Sequence, residues 1–128
     1  HRIAQRPGKP MWFGIGPNGQ AVFALPGNPV SALVCAIRYV LPALQAAMGA
    51  QAEPVEQVLL DTLIDTHPAL TCFVPAQIQL DSDARMIAHP LPVRTSGDFS
   101  SLPRTRGFVQ LPPGPAAVAG SVASFYRW

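Results

Sequence analysis

The sequence predicts an α/β portion, made of a β-hairpin and a long helix, followed by a small all-β barrel or sandwich. Apolar residues recur every three or four positions from residue 29 to 48, which is helical spacing. After a short linker at residues 51–54 the pattern changes to strand-like runs. We therefore predict that residues 1–50 are the C-terminal portion of an α/β domain and that residues 55–128 form a β domain.

The helix begins at a turn with clear start signals. In residues 25–32, Leu-Pro-Gly-Asn-Pro-Val-Ser-Ala, Asn28 suits the N-cap and Pro29 suits the first helical position. Such a helix start leaves free amide hydrogens that favour an anion, although an ordinary capped turn is the alternative.

Residues 14–19 fit G-x-G-x-x-G, but the strand-like sequence after them predicts a hairpin and not a dinucleotide site.

The helix is apolar on nearly every side. Arg38 and Pro42 argue against a membrane span and favour a helix buried within a soluble protein. Pro42 should bend the helix or free a carbonyl near Arg38. A hairpin cannot bury such a helix by itself, so we expect further parts of the α/β domain N-terminal to residue 1.

In the β domain we predict a strand-like run at residues 55–64, strands at residues 71–80, 85–89, 107–111 and 121–127, a turn at 81–84 and one helical turn at 99–102. These elements are short and separated by turn residues, as in small barrels and sandwiches.

Charge and composition limit the class of function. Charged residues make up 12% of the 128 residues and hydrophobic residues 48%. The first fifty residues contain four Arg or Lys and no Asp or Glu, which favours an anionic ligand but is too little charge for a nucleic-acid surface. Cys35 and Cys72 are expected as buried free thiols, with a single disulfide as the alternative. The His, Cys and Asp spacing predicts neither a metal site nor a catalytic triad.

Two N-terminal motifs resemble a known family. R-P-G-K-P-M-W-F-G at residues 6–14 and V-F-A-L-P-G-N-P-V-S-A at 22–32 resemble the end of the molybdopterin-binding domain of the molybdopterin molybdenumtransferases, which include gephyrin. S-G-D-F-S-S-L at 96–102, G-F-V-Q-L-P at 107–112 and the final Y-R-W resemble the family's C-terminal β domain.

The resemblance implies a binding site for molybdate and for substrate phosphate. The residues that it implies are Arg6, Lys9, Pro26, Asn28, Pro29, Ser31, Arg94 and Ser96. The family usually has Lys where this chain has Arg6, and it often has Arg where Pro75 stands. Either Arg94 substitutes for that missing cation, or the oxyanion site is weaker here.

The resemblance also implies an activity: insertion of molybdate into adenylylated molybdopterin to form molybdenum cofactor, with Mg²⁺ bound by residues upstream of this chain. It implies a cytoplasmic homodimer that acts on small molecules, without nucleic-acid or membrane partners. The chain supplies no catalytic residue or metal ligand of its own, so we expect it to be inactive alone. The alternatives are a non-catalytic interaction module, such as a gephyrin-like scaffold that docks through its helix, and, for residues 55–128, a plain stability domain.

Overall fold

The computed structural model describes residues 3–92 and 99–128. Within these ranges the chain contains one long helix, one short 3-10 helix and ten strands. In chain order they are β1 (Gln5–Arg6), β2 (Trp12–Ile15), β3 (Ala21–Ala24), the helix α1 (Pro29–Ala47), β4 (Glu56–Leu60), β5 (Ile64–Asp65), β6 (Thr71–Leu80), β7 (Met86–Pro90), the 3-10 helix Leu102–Arg104, β8 (Gly107–Leu111), β9 (Ala116–Ala117) and β10 (Val122–Arg127).

Five of these strands close a barrel in the order β6-β7-β4-β10-β8, and β8 pairs back onto β6. The β4–β7 pair is parallel, whereas the other four pairs are antiparallel. Side chains alternate along β6, so that Cys72 and Ala76 face the barrel core together with Val109 and Phe125. Full closure leaves little exposed strand edge. Of the two predicted architectures, a small barrel or a sandwich, the structure has the barrel.

The N-terminal residues contact this barrel directly. β1 pairs in parallel with the start of β6, where Gln5 lies opposite Thr71 and Arg6 opposite Cys72. The sequence does not predict this strand, because two residues carry no periodic pattern. The domain boundary at residues 51–54 stays a prediction, and that segment has no regular secondary structure.

The hairpin forms as predicted. β2 and β3 pair from Trp12 opposite Ala24 to Ile15 opposite Ala21, and the ring centroids of Phe13 and Phe23 lie 5.0 Å apart. The Gly19 N–H donates to the Gly16 carbonyl at 3.0 Å, which closes the turn.

Helix α1 is interrupted where Pro42 removes a donor. Its middle section, Ala36–Val40, is a π-helix, and the Leu41 N–H donates to the Ala36 carbonyl five residues earlier. In an α-helix Pro42 would leave the carbonyl of Arg38 without its i+4 donor, and the wider turn is one way to accommodate this defect.

Within this chain only the first half of α1 is buried, and its burial within a larger α/β domain stays a prediction. Val34 packs on Phe73 and Phe108, on the outer face of the barrel. Beyond the π-helix the side chains of Leu41, Leu44 and Met48 are 50%, 55% and 84% exposed, because the barrel does not extend that far. By length and hydropathy alone Pro29–Ala47 would pass as a membrane span, a test that core helices of globular proteins also pass.

The strands of the β domain lie close to the positions predicted from the sequence. The strands at 71–80 and 107–111 have the predicted bounds, and those predicted at 85–89 and 121–127 are each displaced by one residue at one or both ends. The strand-like run predicted at 55–64 contains β4 and ends at the first residue of β5. The helical turn predicted at 99–102 forms slightly later, as the 3-10 helix Leu102–Arg104. Cys35 and Cys72 are both buried and free, as expected.

Candidate functional site

The start of α1 has the predicted cap. The Asn28 Oδ1 accepts from the Ser31 N–H at 2.9 Å and from the Ser31 hydroxyl at 3.1 Å, and Pro29 occupies the first helical position. The Ala32 N–H donates to the Asn28 carbonyl at 2.8 Å. Within the described residues, Val30 is therefore the first-turn residue whose N–H has no partner. The helix start offers one free amide, fewer than the sequence suggests, because the cap satisfies the others.

A buried cluster of polar side chains connects β1 to α1. Gln5, 1% exposed, accepts from the Tyr39 hydroxyl and donates from Nε2 to the Pro7 carbonyl at 3.0 Å and to the Cys35 Sγ at 3.5 Å. Burial raises the pKa of the Cys35 thiol, and the Gln5 hydrogen bond offsets part of this rise. Burial also raises the pKa of Tyr39, against the opposing effect of the Arg38 charge. Because these bonds hold Gln5, they also position the backbone of its neighbour Arg6 at the end of β1.

A cavity of about 620 Å³ opens between the helix start and the barrel. Arg6 and Pro7 form one side of it, Asn28, Val30 and Ser31 a second, and barrel residues the remainder. The barrel residues are Leu63, Ile64, Asp65, Thr66, His67, Cys72, Phe73, Val74, Pro75 and Pro92. The cavity thus joins a cation, a helix N-terminus and several hydrogen-bonding groups, which suits an anion.

The structure brings three of the predicted site residues together in this cavity, namely Arg6, Asn28 and Ser31. Pro26, Pro29 and Lys9 do not line it, and Lys9 lies exposed in the turn after β1. Arg94 and Ser96 lie outside the described residues, although Pro92, shortly before them, lines the cavity. The Asn28 Oδ1 and the Ser31 hydroxyl hydrogen already bond each other, so they act first as the cap.

Sequence reasoning missed His67 and its neighbours as lining residues. The Ala69 N–H donates to the His67 Nδ1 at 3.1 Å, so a neutral ring carries its proton on Nε2 and can donate there. The Thr66 hydroxyl donates to the Gly114 carbonyl at 2.5 Å and helps hold this segment. No local pattern reveals these residues, because the pairing of β5 with β9 places them.

The cavity carries less positive charge than the resemblance implies. Buried Pro75 stands where the resemblance leads us to expect a cation, and exposed Asp65 adds a carboxylate. Among the described residues no three His, Cys, Asp or Glu side chains form a metal-ligand set. The described part of the chain therefore does not fit a Mg²⁺ site.

Comparison with known proteins identifies the β domain. Residues 57–128 match the family described as the MoeA C-terminal region (domain IV). The whole chain is 41% identical to a molybdopterin molybdenumtransferase from Synechocystis sp., and 89% of it is 31% identical to one from Synechococcus elongatus. The chain spans 31% and 27% of the lengths of these two relatives.

A solved structure has the same fold. The molybdopterin biosynthesis MoeA protein from Pyrococcus horikosii superposes with a TM-score of 0.78 at 28% identity. The match covers 99% of this chain and 31% of that protein. The likeness therefore includes the hairpin and helix as well as the barrel.

Proposed function

Because this chain belongs to the MoeA C-terminal region (domain IV) family, we propose that it forms part of a molybdopterin molybdenumtransferase. The whole enzyme would insert molybdate into adenylylated molybdopterin and form molybdenum cofactor. This chain would supply one wall of the oxyanion site, and residues outside it would bind Mg²⁺. We propose that the intact protein is a cytoplasmic homodimer.

The observation that carries the proposal is the cavity shared by Arg6 and the start of α1. Molybdate and the substrate phosphate are both oxyanions and repel each other. A guanidinium can donate two parallel N–H bonds to an oxyanion, and the free Val30 N–H and His67 Nε2–H can add single donors. These groups bind and orient their ligands, and none of the three is suited to act as a general base.

Molybdate titration of the chain by calorimetry tests this site. We expect Arg6→Ala to weaken binding about tenfold, because a charged hydrogen bond is lost. We expect His67→Ala to weaken it less and Asp65→Asn to strengthen it, since that change removes a repelling carboxylate. Arg85→Ala removes an equal charge from the distant β6–β7 turn and serves as the control. Binding that Arg6→Ala leaves unchanged would refute the site.

The chain alone should not form molybdenum cofactor, because the metal-binding acids that the family resemblance implies are absent from its first fifty residues. A turnover assay with adenylylated molybdopterin, molybdate and Mg²⁺ measures this directly. Cofactor formed by the isolated chain would contradict the proposal.

The exposed end of α1 favours a second candidate, a gephyrin-like scaffold module. Leu41, Leu44 and Met48 present an apolar surface that a partner protein or another part of the intact protein would cover. If the scaffold role is correct, a defined partner binds the intact protein and Leu44→Glu abolishes binding while cofactor synthesis continues. Loss of synthesis without any partner binding favours the enzyme alone.

A further inference from the structure

A second cleft, of about 240 Å³, lies on the barrel beside the C-terminal half of β6. It is lined by Gln77, Ile78, Gln79, Arg104 and Arg106. The larger cavity uses Cys72 to Pro75 of the same strand, so the two sites share no lining residue.

The strand register and the 3-10 helix together bring two arginines to two glutamines. In the β6–β8 ladder, Ala76 lies opposite Gly107. Continuing that register by one residue places Arg106 opposite Gln77. Arg104 is the last residue of the 3-10 helix before β8, and it lines the same cleft. The Arg106 N–H still donates to the Ala76 carbonyl at 3.0 Å, although β8 itself begins at Gly107. Because side chains alternate along a strand, Gln77 and Gln79 lie on the same face.

The charges of these two arginines are not balanced within the described residues. Arg85 is paired with Asp81 at 2.7 Å and Arg127 with Glu56 at 2.6 Å. Arg104 and Arg106 are exposed and form no side-chain hydrogen bond or ion pair with the described part of the chain. No described Asp or Glu lines their cleft. Two adjacent guanidiniums repel each other, and an anion between them would relieve this repulsion.

We propose that this cleft binds a tetrahedral, phosphate-type oxyanion. Each guanidinium presents a planar fork of N–H donors, and each glutamine amide adds two more. Phosphate has four oxygens and can accept from more of these donors than the two oxygens of a carboxylate can. The proposal does not depend on the molybdate site, because the linings are separate.

The test is an NMR titration of the ¹⁵N-labelled chain, in which the Arg Nε–H and Gln side-chain NH₂ signals are followed. The probes are inorganic phosphate, phenyl phosphate and acetate at constant ionic strength. We expect both phosphates to shift the signals of Arg104, Arg106, Gln77 and Gln79 with one shared Kd. Tighter binding of phenyl phosphate identifies an ester as the ligand, and equal or tighter binding of inorganic phosphate identifies the free ion.

The double variant Arg104→Gln/Arg106→Gln should weaken phosphate binding at these glutamines at least tenfold, while the control Arg85→Gln leaves it unchanged. Arg6→Ala should also leave it unchanged, which separates this site from the molybdate cavity. The proposal fails if acetate binds as tightly as phosphate, if all exposed arginines shift alike, or if the double variant binds normally.

Discussion

Gly8 is the position where one added methyl group should disturb the chain most. Its φ of +97° lies in the left-handed region, and an ideal Cβ there would lie 2.4 Å from the Gln5 Nε2 and 2.7 Å from the Cys35 Sγ. Gln5 cannot easily move aside, because it is buried and bonded to Pro7 and Tyr39. Gly8→Ala should therefore loosen β1 from the helix.

The expected magnitude has two separable parts. A left-handed conformation costs a residue with a Cβ about 1–2 kcal/mol. Overpacking of a buried contact adds about 1–3 kcal/mol. We therefore expect Gly8→Ala to lower the free energy of unfolding by about 2–5 kcal/mol.

Two other glycines provide matched controls. Gly49 has a φ of +78° with open space around it, so Gly49→Ala measures conformational strain alone. Gly27 has open space and lies outside the left-handed region, so Gly27→Ala should have little effect. Urea denaturation followed by tryptophan fluorescence measures all three. In the double variant Gly8→Ala/Cys35→Ala, removal of the sulfur should restore part of the loss.

The reasoning is refuted if Gly8→Ala destabilises the chain no more than Gly49→Ala does. It is also refuted if the effects of Gly8→Ala and Cys35→Ala are simply additive, because then the alanine methyl group does not meet the sulfur.

Two further predictions concern stability. Asn28→Ala should lower the free energy of unfolding by about 1 kcal/mol in the same urea assay, because the Ser31 amide loses its cap. Asn18 lies in the exposed hairpin turn and serves as the control. An equal loss of stability in Asn18→Ala would contradict the prediction. Because burial raises the pKa of Cys35, the thiol contributes stability to the fold below the ordinary pKa of 9.0, and this contribution should be lost as the pH rises through the folded-state pKa. Cys35→Ala should flatten that part of the curve of unfolding free energy against pH. An unchanged curve would contradict the assignment.

Much of the fold follows from local patterns. The strands from Thr71 to Leu80 and from Gly107 to Leu111 could be located because their alternation and flanking turns are strong. The Asn28 cap and the hairpin also follow from short-range chemistry. The π-helix could be anticipated only as a defect near Arg38, since Pro42 signals a missing donor but does not determine how the helix responds.

The candidate site was harder to predict because long-range pairing assembles it. Arg6 and Ser31 could be proposed from motifs, and the cavity brings them together. His67 and Asp65 join it through the β5–β9 pair, which no local pattern encodes. Lys9 is a cation of the same motif as Arg6, but it lies outside the cavity because it stands in the exposed turn after β1.

The parallel pair of β1 with β6 connects residues separated by 66 positions, as Gln5 lies opposite Thr71. A cut in the segment between residues 50 and 55 would therefore not separate two self-sufficient pieces. The N-terminal piece would take a strand from the sheet, and the barrel would lose the side chain of Val34 that covers Phe73 and Phe108. Evolutionary shuffling of either half without the other would expose both surfaces to water, which favours inheritance of the two halves as a unit.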